Sequence, residues 1–174
     1  MTLASIILLS VALQRGVELV YSARNTARIR QRGGIEFGRG HYPFMVLLHA
    51  GWLISIAVGV TRDPIVRLFP LTIFAALQIL RVWVIATLGP FWTTRVLSVP
   101  GEPLVRRGPY RYFRHPNYLI VIGEIAALPL VFGQVVNAVM FSVLNLAMIA
   151  WRVRIENAVL AQRDQTSPHV EMEN

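Results

Sequence analysis

Residues 101–118 read Gly-Glu-Pro-Leu-Val-Arg-Arg-Gly-Pro-Tyr-Arg-Tyr-Phe-Arg-His-Pro-Asn-Tyr, crowding four arginines, a histidine, three tyrosines and an asparagine into one stretch. Pro116 suits the first turn of a helix, where a missing N–H removes nothing. A helix start there offers free backbone N–H groups to a carboxylate or phosphate. An arginine-rich aromatic segment at a membrane edge also serves as a plain anchor. Anchoring needs neither the histidine and asparagine nor the tight Pro/Gly turns, so the stretch reads as a site.

Further along, Asn145, Arg152 and Glu156 follow at spacings of seven and four, which is one face of a helix. An i,i+4 ion pair is the plain reading of the last two, and a pair facing a pocket is the chemical one. Several polar residues stand inside apolar runs. Arg15 with Glu18, and Gln78 with Arg81, are same-face neighbours at spacing three, and mutual neutralisation inside the bundle accounts for them. Glu124 has no cation near it in sequence. It must find one across helices, stay protonated, or work. His41 and His49 are eight apart on one face, where an interhelical hydrogen bond is the structural expectation.

The elements that position these residues follow from composition. A 174-residue chain that is 55% hydrophobic, 15% charged and +0.52 in mean hydropathy holds more apolar surface than one small core can bury. Lipid must solvate the rest. Residues 40–61 carry no charge over 22 positions, about 33 Å as a helix and enough to cross a bilayer. Residues 64–88 form a second candidate, interrupted only by Arg67 and Arg81. Between Arg114 and Arg152 lie 37 residues whose only formal charge is Glu124. As one helix they would measure about 55 Å, so they are two spans, hinged near residues 130–134 where Pro129 and Gly133 punctuate the pattern. Residues 2–22 have no charged leader and no small-residue cleavage site, and read as a retained span. The fold class is therefore all-α: a polytopic integral membrane protein of about five transmembrane helices. Residues 1–163 form a single domain and residues 164–174 a polar, flexible tail.

All 17 basic residues are arginine. Outside the spans, 13 fall on the first loop, the third loop and the tail, against two on the second loop and none on the fourth. By the positive-inside rule the N-terminus is outside and the C-terminus cytoplasmic, in the cell (inner) membrane. A net charge of +8 would suggest nucleic acid in a soluble protein, but here the cations border apolar runs, so membrane lipid is the partner and nucleic acid is not. With no cysteine, disulfides, thiolate zinc sites and iron–sulfur clusters are excluded; with no lysine, so are Schiff-base chemistry and a P-loop. The four histidines lack metal-ligand spacing with carboxylates, and no metal is expected. The glycine-rich residues 33–40 match no dinucleotide fingerprint, and no strand is expected ahead of them.

Three runs then carry a family resemblance. Leu88-Gly89-Pro90-Phe91-Trp92-Thr93-Thr94-Arg95 is followed by Leu104-Val105-Arg106-Arg107-Gly108-Pro109-Tyr110 and by Arg114-His115-Pro116-Asn117-Tyr118. With Arg152-Val153-Arg154-Ile155-Glu156-Asn157-Ala158 beyond them, the chain resembles the isoprenylcysteine carboxyl methyltransferase family of integral membrane enzymes. The Arg-His-Pro-x-Tyr element alone is shared with sterol reductases. Arg15 and Glu18, Arg24-Asn25, and His41-Tyr42-Pro43 ahead of His49 look like the short bacterial branch, some of whose members O-methylate alkylresorcinols or alkylpyrones.

The resemblance implies an S-adenosylmethionine-dependent O-methyltransferase with the cofactor site facing the cytoplasm. Its acceptor would be a lipophilic small molecule, either a prenylcysteine-type carboxylate or a long-chain polyketide phenol or enol. Glu102, Pro103, Leu104 and Val105 would line the adenosine, with Tyr110, His115, Pro116, Asn117 and Tyr118 completing that pocket. Arg95 stands where the family has a cofactor-contacting glutamine. Glu156 matches an acid that holds the cofactor, and Arg152 the arginine that faces the substrate oxygen. A carboxylate acceptor needs no base; a phenol or enol does, and Glu124 and His49 are the membrane-embedded candidates. Two rival readings are an NADPH-dependent membrane reductase of the sterol-reductase type and a non-catalytic membrane binding or transport module.

Overall fold

A computed structural model of the protein describes residues 2–61, 65–102 and 105–166, with side chains through residue 161. Five long helices run in the order α1 (Leu3–Gln31), α2 (Tyr42–Gly59), α3 (Leu68–Leu88), α4 (Pro116–Val131) and α5 (Val135–Thr166). Thr2 caps α1 by accepting from the Ser5 amide at 3.2 Å, and Pro43 and Pro116 sit in the first turns of α2 and α4, where no amide hydrogen is needed. α1, α2 with the 3₁₀ turn before it, α3 and α5 are long and apolar enough to cross a membrane. α4 has 16 residues and is shorter, about 24 Å. Exposed leucines, valines and isoleucines cover the outward faces of α1, α2, α3 and α5, as surfaces turned to lipid would be, whereas α4 exposes only Leu119.

The break between the last two helices falls at residues 132–134, inside the hinge expected from Pro129 and Gly133. Gly133 adopts φ +72°, and a Cβ there would come within 3.0 Å of the Arg67 guanidinium. The Arg67 amide in turn donates to the Val131 carbonyl at 2.8 Å, tying the start of α3 to the end of α4. α4 packs between α3 and α5, and α2 packs on α5. Trp52, Ile56, Phe74, Ile125, Leu128 and Phe141 form the core between them. Pro129 has no N–H for the carbonyl four residues before it, and the Trp52 indole donates to that Ile125 carbonyl at 3.2 Å. A backbone acceptor buried in an apolar bundle is thereby satisfied by a side chain from another helix.

Four features depart from the sequence reading. α1 continues past Ser22 to Gln31, because its polar last turns bury Ser22, Asn25, Thr26 and Ile29. Within the glycine-rich stretch lies a strand, β1 (Ile35–Phe37), which pairs antiparallel with β2 (Val96–Ser98) in the register Ile35–Ser98, Glu36–Leu97, Phe37–Val96. Among the described residues the regular structure is helical apart from this ribbon, with loops and short 3₁₀ turns between the helices. His41 and His49 do not bond across helices: His49 Nδ1 lies 2.8 Å from the Met45 carbonyl one turn back on its own helix, and the ring nitrogens of His41 reach no side chain of another helix among the described residues. α5 carries three residues into the expected tail, and residues 167–174 lie outside the described residues.

Candidate active site

The ends of four helices and the ribbon meet around Arg152. α1 sets the loop after α3: the Asn25 amide donates to the carbonyls of Gly89 at 3.1 Å and Trp92 at 2.9 Å, and the Ser22 hydroxyl accepts from the Thr94 amide at 2.8 Å. That fixes the Thr94 carbonyl, which accepts from Arg152 Nη1 at 2.7 Å. From α4, the Tyr118 hydroxyl donates to Glu156 Oε1 and accepts from Arg152 Nε at 2.7 Å. His115 stacks on Tyr118 with ring centroids 5.4 Å apart and places Nδ1 3.3 Å from Glu156 Oε2. Arg152 Nε also lies 3.2 Å from Glu156 Oε1, the i,i+4 pair expected from their spacing. Arg152 is 8% exposed, and its Nη2 has no hydrogen-bond partner among the described residues. A buried guanidinium with one free edge is a donor waiting for an oxygen.

Two cavities border Arg152, and another adjoins one of them. The adjoining one, wide at about 790 Å³, is lined by Glu102, Arg106, Tyr110, Arg111 and Arg114 together with Val105 and other, mostly apolar, side chains. A narrow one of about 200 Å³, lined by Arg95, Asn117, Arg152 and Glu156, shares Tyr110, Leu97 and Phe91 with the first. A third, of about 340 Å³ and largely apolar, lies among α1, α2 and α5. It shares Trp92, Thr93, Asn117 and Arg152 with the narrow one. Arg152 therefore borders both a polar compartment and an apolar one. Burial pushes the Tyr110 phenol well above its usual pKa, helped by the Glu156 charge, so at neutral pH it stays a protonated donor.

Arg95 is held from the ribbon. Glu36 on β1 accepts from Arg95 Nη1 at 2.6 Å and from Arg30 on α1, and Arg39 Nε lies 3.4 Å away. Burial alone would raise the Glu36 pKa, but the Arg95 and Arg30 hydrogen bonds outweigh it and hold the carboxyl below its usual value. The Arg95 guanidinium also lies 3.9 Å from the Tyr42 ring centroid. One carboxylate shared among three guanidiniums leaves positive charge at the edge of the narrow cavity.

Glu124 found its cations across helices. It is 1% exposed and accepts from Arg15 Nη2 at 2.8 Å, Arg81 Nη1 at 2.9 Å and Gln78 Nε2 at 2.8 Å. Glu18 takes Arg81 in a two-bond fork at 2.6 Å each and Arg15 at 2.9 Å. Two acids and two arginines from α1, α3 and α4 thus neutralise one another. Arg15, Glu18 and Arg81 form part of the wall of the apolar cavity, and Glu124 lies behind it. His49 lines that cavity directly. A carbonyl can only accept, so in the neutral ring the contact with Met45 puts the proton on Nδ1 and leaves Nε2 with a lone pair.

Of the residues expected at the site, Arg95, Tyr110, His115, Asn117, Tyr118, Arg152 and Glu156 come together, with Pro116 opening α4 beside them. Glu102 and Val105 border the adjoining wide cavity, while Pro103 and Leu104 lie outside the described residues. Glu36 and Thr94 went unnoticed in the sequence. Glu36 had a signal, as the one acid between Arg30 and Arg39; Thr94 acts through its carbonyl and had none. Among the described residues no group of three or more His, Asp or Glu side chains is placed to hold a metal ion.

Residues 69–162, just over half the chain, match the isoprenylcysteine carboxyl methyltransferase (ICMT) family, and the chain belongs to it: a membrane protein of a methyltransferase family. It is 33% identical over 153 residues to Uncharacterized protein YpbQ of Bacillus subtilis (strain 168), covering 86% of this chain and 91% of that one. It is 22% identical over 152 residues to an uncharacterized protein of Haemophilus influenzae, covering 84% and 88%. No solved structure matches the chain.

Proposed function

We propose that the protein is an S-adenosylmethionine-dependent O-methyltransferase acting on a lipophilic acceptor, a prenylcysteine-type carboxylate or a long-chain phenol or enol. The observation that carries this reading is Arg152, buried at the junction of a polar and an apolar cavity with Nη2 unpartnered. When bound, the cofactor supplies an electrophilic methyl group on a sulfonium. The donor set fits it. Glu156 suits an ammonium and Arg95 a carboxylate, while Glu102, Val105 and Tyr110 border the wider space for adenosine. His115 Nε2 and Asn117 Oδ1 are covered and without hydrogen-bond partners among the described residues, as groups reserved for a ligand would be. By resemblance, Pro103 and Leu104 join that wall.

In-line methyl transfer asks the protein for positioning and exclusion of water more than for covalent help. Arg152 orients the acceptor oxygen and steadies its negative charge. For a phenol or enol, His49 Nε2 accepts the hydroxyl proton within the same cavity. Glu124, saturated by Arg15, Arg81 and Gln78, holds the wall instead of moving a proton.

Calorimetric titration with S-adenosylhomocysteine in detergent tests the reading, with NADPH run in parallel. One-to-one binding of the first is the expected result; binding of NADPH alone, or of neither, would overturn it in favour of a reductase or a non-catalytic module. The arginine asymmetry supports a cytoplasmic C-terminus, and a reporter fused at residue 174 that reads as external would sink the cytoplasmic cofactor site.

The acceptor enters sideways. Ala12 and Gly16 on α1 and Ala50 on α2 line the apolar cavity yet are exposed, beside the outward-facing Leu9, Leu13 and Leu47. A Cβ built on Gly16 meets nothing within 4 Å, so a side chain can branch from this position without a clash at its base. Gly16→Phe is expected to fold as well as the parent and to bind S-adenosylhomocysteine equally. Its kcat/KM for a long-chain acceptor should fall by about tenfold or more, since it narrows the gap between α1 and α2. Unchanged kinetics would place the acceptor's route elsewhere.

A further inference from the structure

Asn145 stands on α5 two turns before Arg152, about 10 Å along the helix axis. It is 1% exposed and lines the apolar cavity that Arg152 closes at one end. Its amide makes no hydrogen bond to any described residue, and its nitrogen is fully covered. The structural asparagines of this bundle behave differently. The Asn25 amide bonds the Gly89 and Trp92 carbonyls, and the Asn137 amide bonds Gln134 and Ser55 across the α2–α5 contact. An asparagine acting as glue between helices makes such bonds. A second covered donor without a partner, Arg15 Nε, belongs to a residue on the wall of the same cavity. Nothing in lipid answers such groups, because acyl chains carry no hydrogen-bonding atoms.

We infer that Asn145 reads a second oxygen of the acceptor, a hydroxyl or carbonyl set deeper in the cavity than the oxygen that is methylated. The inference rests on the methyltransferase reading, and it narrows the acceptor class to lipophilic molecules bearing two oxygen functions. Arg152 and Asn145 then divide the task, one engaging the reacting oxygen and the other rejecting molecules that lack its companion. Discrimination of this kind is strong because the wrong ligand leaves a buried polar group unanswered.

The test uses full-length protein in detergent and two matched ligand pairs. One pair is 3-pentadecylphenol and the same phenol with a second ring hydroxyl at position 5. The other is farnesylthiopropionate and N-acetylfarnesylcysteine. Affinity is read by quenching of tryptophan fluorescence, since Trp92 lines the cavity. The parent should bind the member with the extra oxygen about tenfold or more tightly in at least one pair. In Asn145→Leu, similar in volume and apolar, that preference should vanish. Its thermal midpoint should match or exceed the parent's, whereas a structural asparagine would lower it. Equal binding of both members by the parent, or a preference that survives in Asn145→Leu, overturns the inference, as does failure of all four probes to bind. S-adenosylhomocysteine titrated into the same sample then tells whether the methyltransferase reading falls with it or stands alone.

Discussion

Arg152→Leu is expected to lower methyl transfer by roughly 100- to 1,000-fold, the range seen when one preorganised donor to a developing charge is removed, while S-adenosylhomocysteine affinity changes little. Glu156 keeps its contacts with Tyr118 and His115 when the guanidinium is gone, which is why cofactor binding should survive. Glu156→Gln should do the reverse and chiefly weaken cofactor binding, by about tenfold or more, through loss of a charge-assisted acceptor. Arg152→Lys should recover only part of the turnover, since an ammonium cannot span Tyr118, the Thr94 carbonyl and an acceptor oxygen as a planar fork does. Calorimetry and methyl-transfer rates on the three variants separate the roles. Parallel losses of binding and turnover in Arg152→Leu and Glu156→Gln would leave a plain ion pair as the better account.

Arg81→Met carries the largest expected loss of stability. With Arg81 present, two arginines face two carboxylates and the buried cluster is neutral; without it, Glu18 and Glu124 share Arg15 alone. Arg81 is 6% exposed and Glu124 1% exposed, so water offers the stranded charge little relief. Breaking one partner out of a buried pair costs about 3–5 kcal/mol. The variant should unfold at much lower temperature in detergent or fail to accumulate in membranes. Adding Glu18→Gln to Arg81→Met restores neutrality and should recover most of the loss. If the single variant melts like the parent, the cluster does not hold the helices together. If the double variant is worse than the single one, charge balance is the wrong account.

The helices were legible where a physical rule acts locally. Proline and glycine at residues 129 and 133 announced the turn between α4 and α5, because a missing N–H and a positive φ are properties of single residues. The neutral pairing of Arg15 with Glu18 was legible for the same reason, at spacing three on one helix. Gln78 and Arg81 share a face too, yet they do not bond each other: both turn to Glu124, and Arg81 to Glu18 as well. Such partners depend on how three helices cross, which no single helix records. The end of α1 hid for a different reason. Its last turns look like a solvated arginine-rich loop, and only the loop after α3 reveals that Ser22 and Asn25 are buried. The ribbon was out of reach, since three-residue strands leave no alternation to detect and pair positions about 60 residues apart. At the site, side chains were readable from the motifs that carry the family pattern. The backbone acceptor at Thr94 and the accessible tautomer of His49 required coordinates.

The bond from the Trp52 indole to the Ile125 carbonyl also limits the order in which this sequence can change. With Pro129 in place, losing the indole strands a carbonyl inside an apolar bundle. With alanine at 129, the helix supplies its own N–H, and because a carbonyl oxygen has two lone pairs the indole N–H keeps its acceptor too. Replacement of the proline is therefore open at any time, whereas replacement of the tryptophan is open only afterwards. The two positions, on different helices and 77 residues apart in sequence, work as a ratchet: the indole had to precede the proline, and it cannot leave before it.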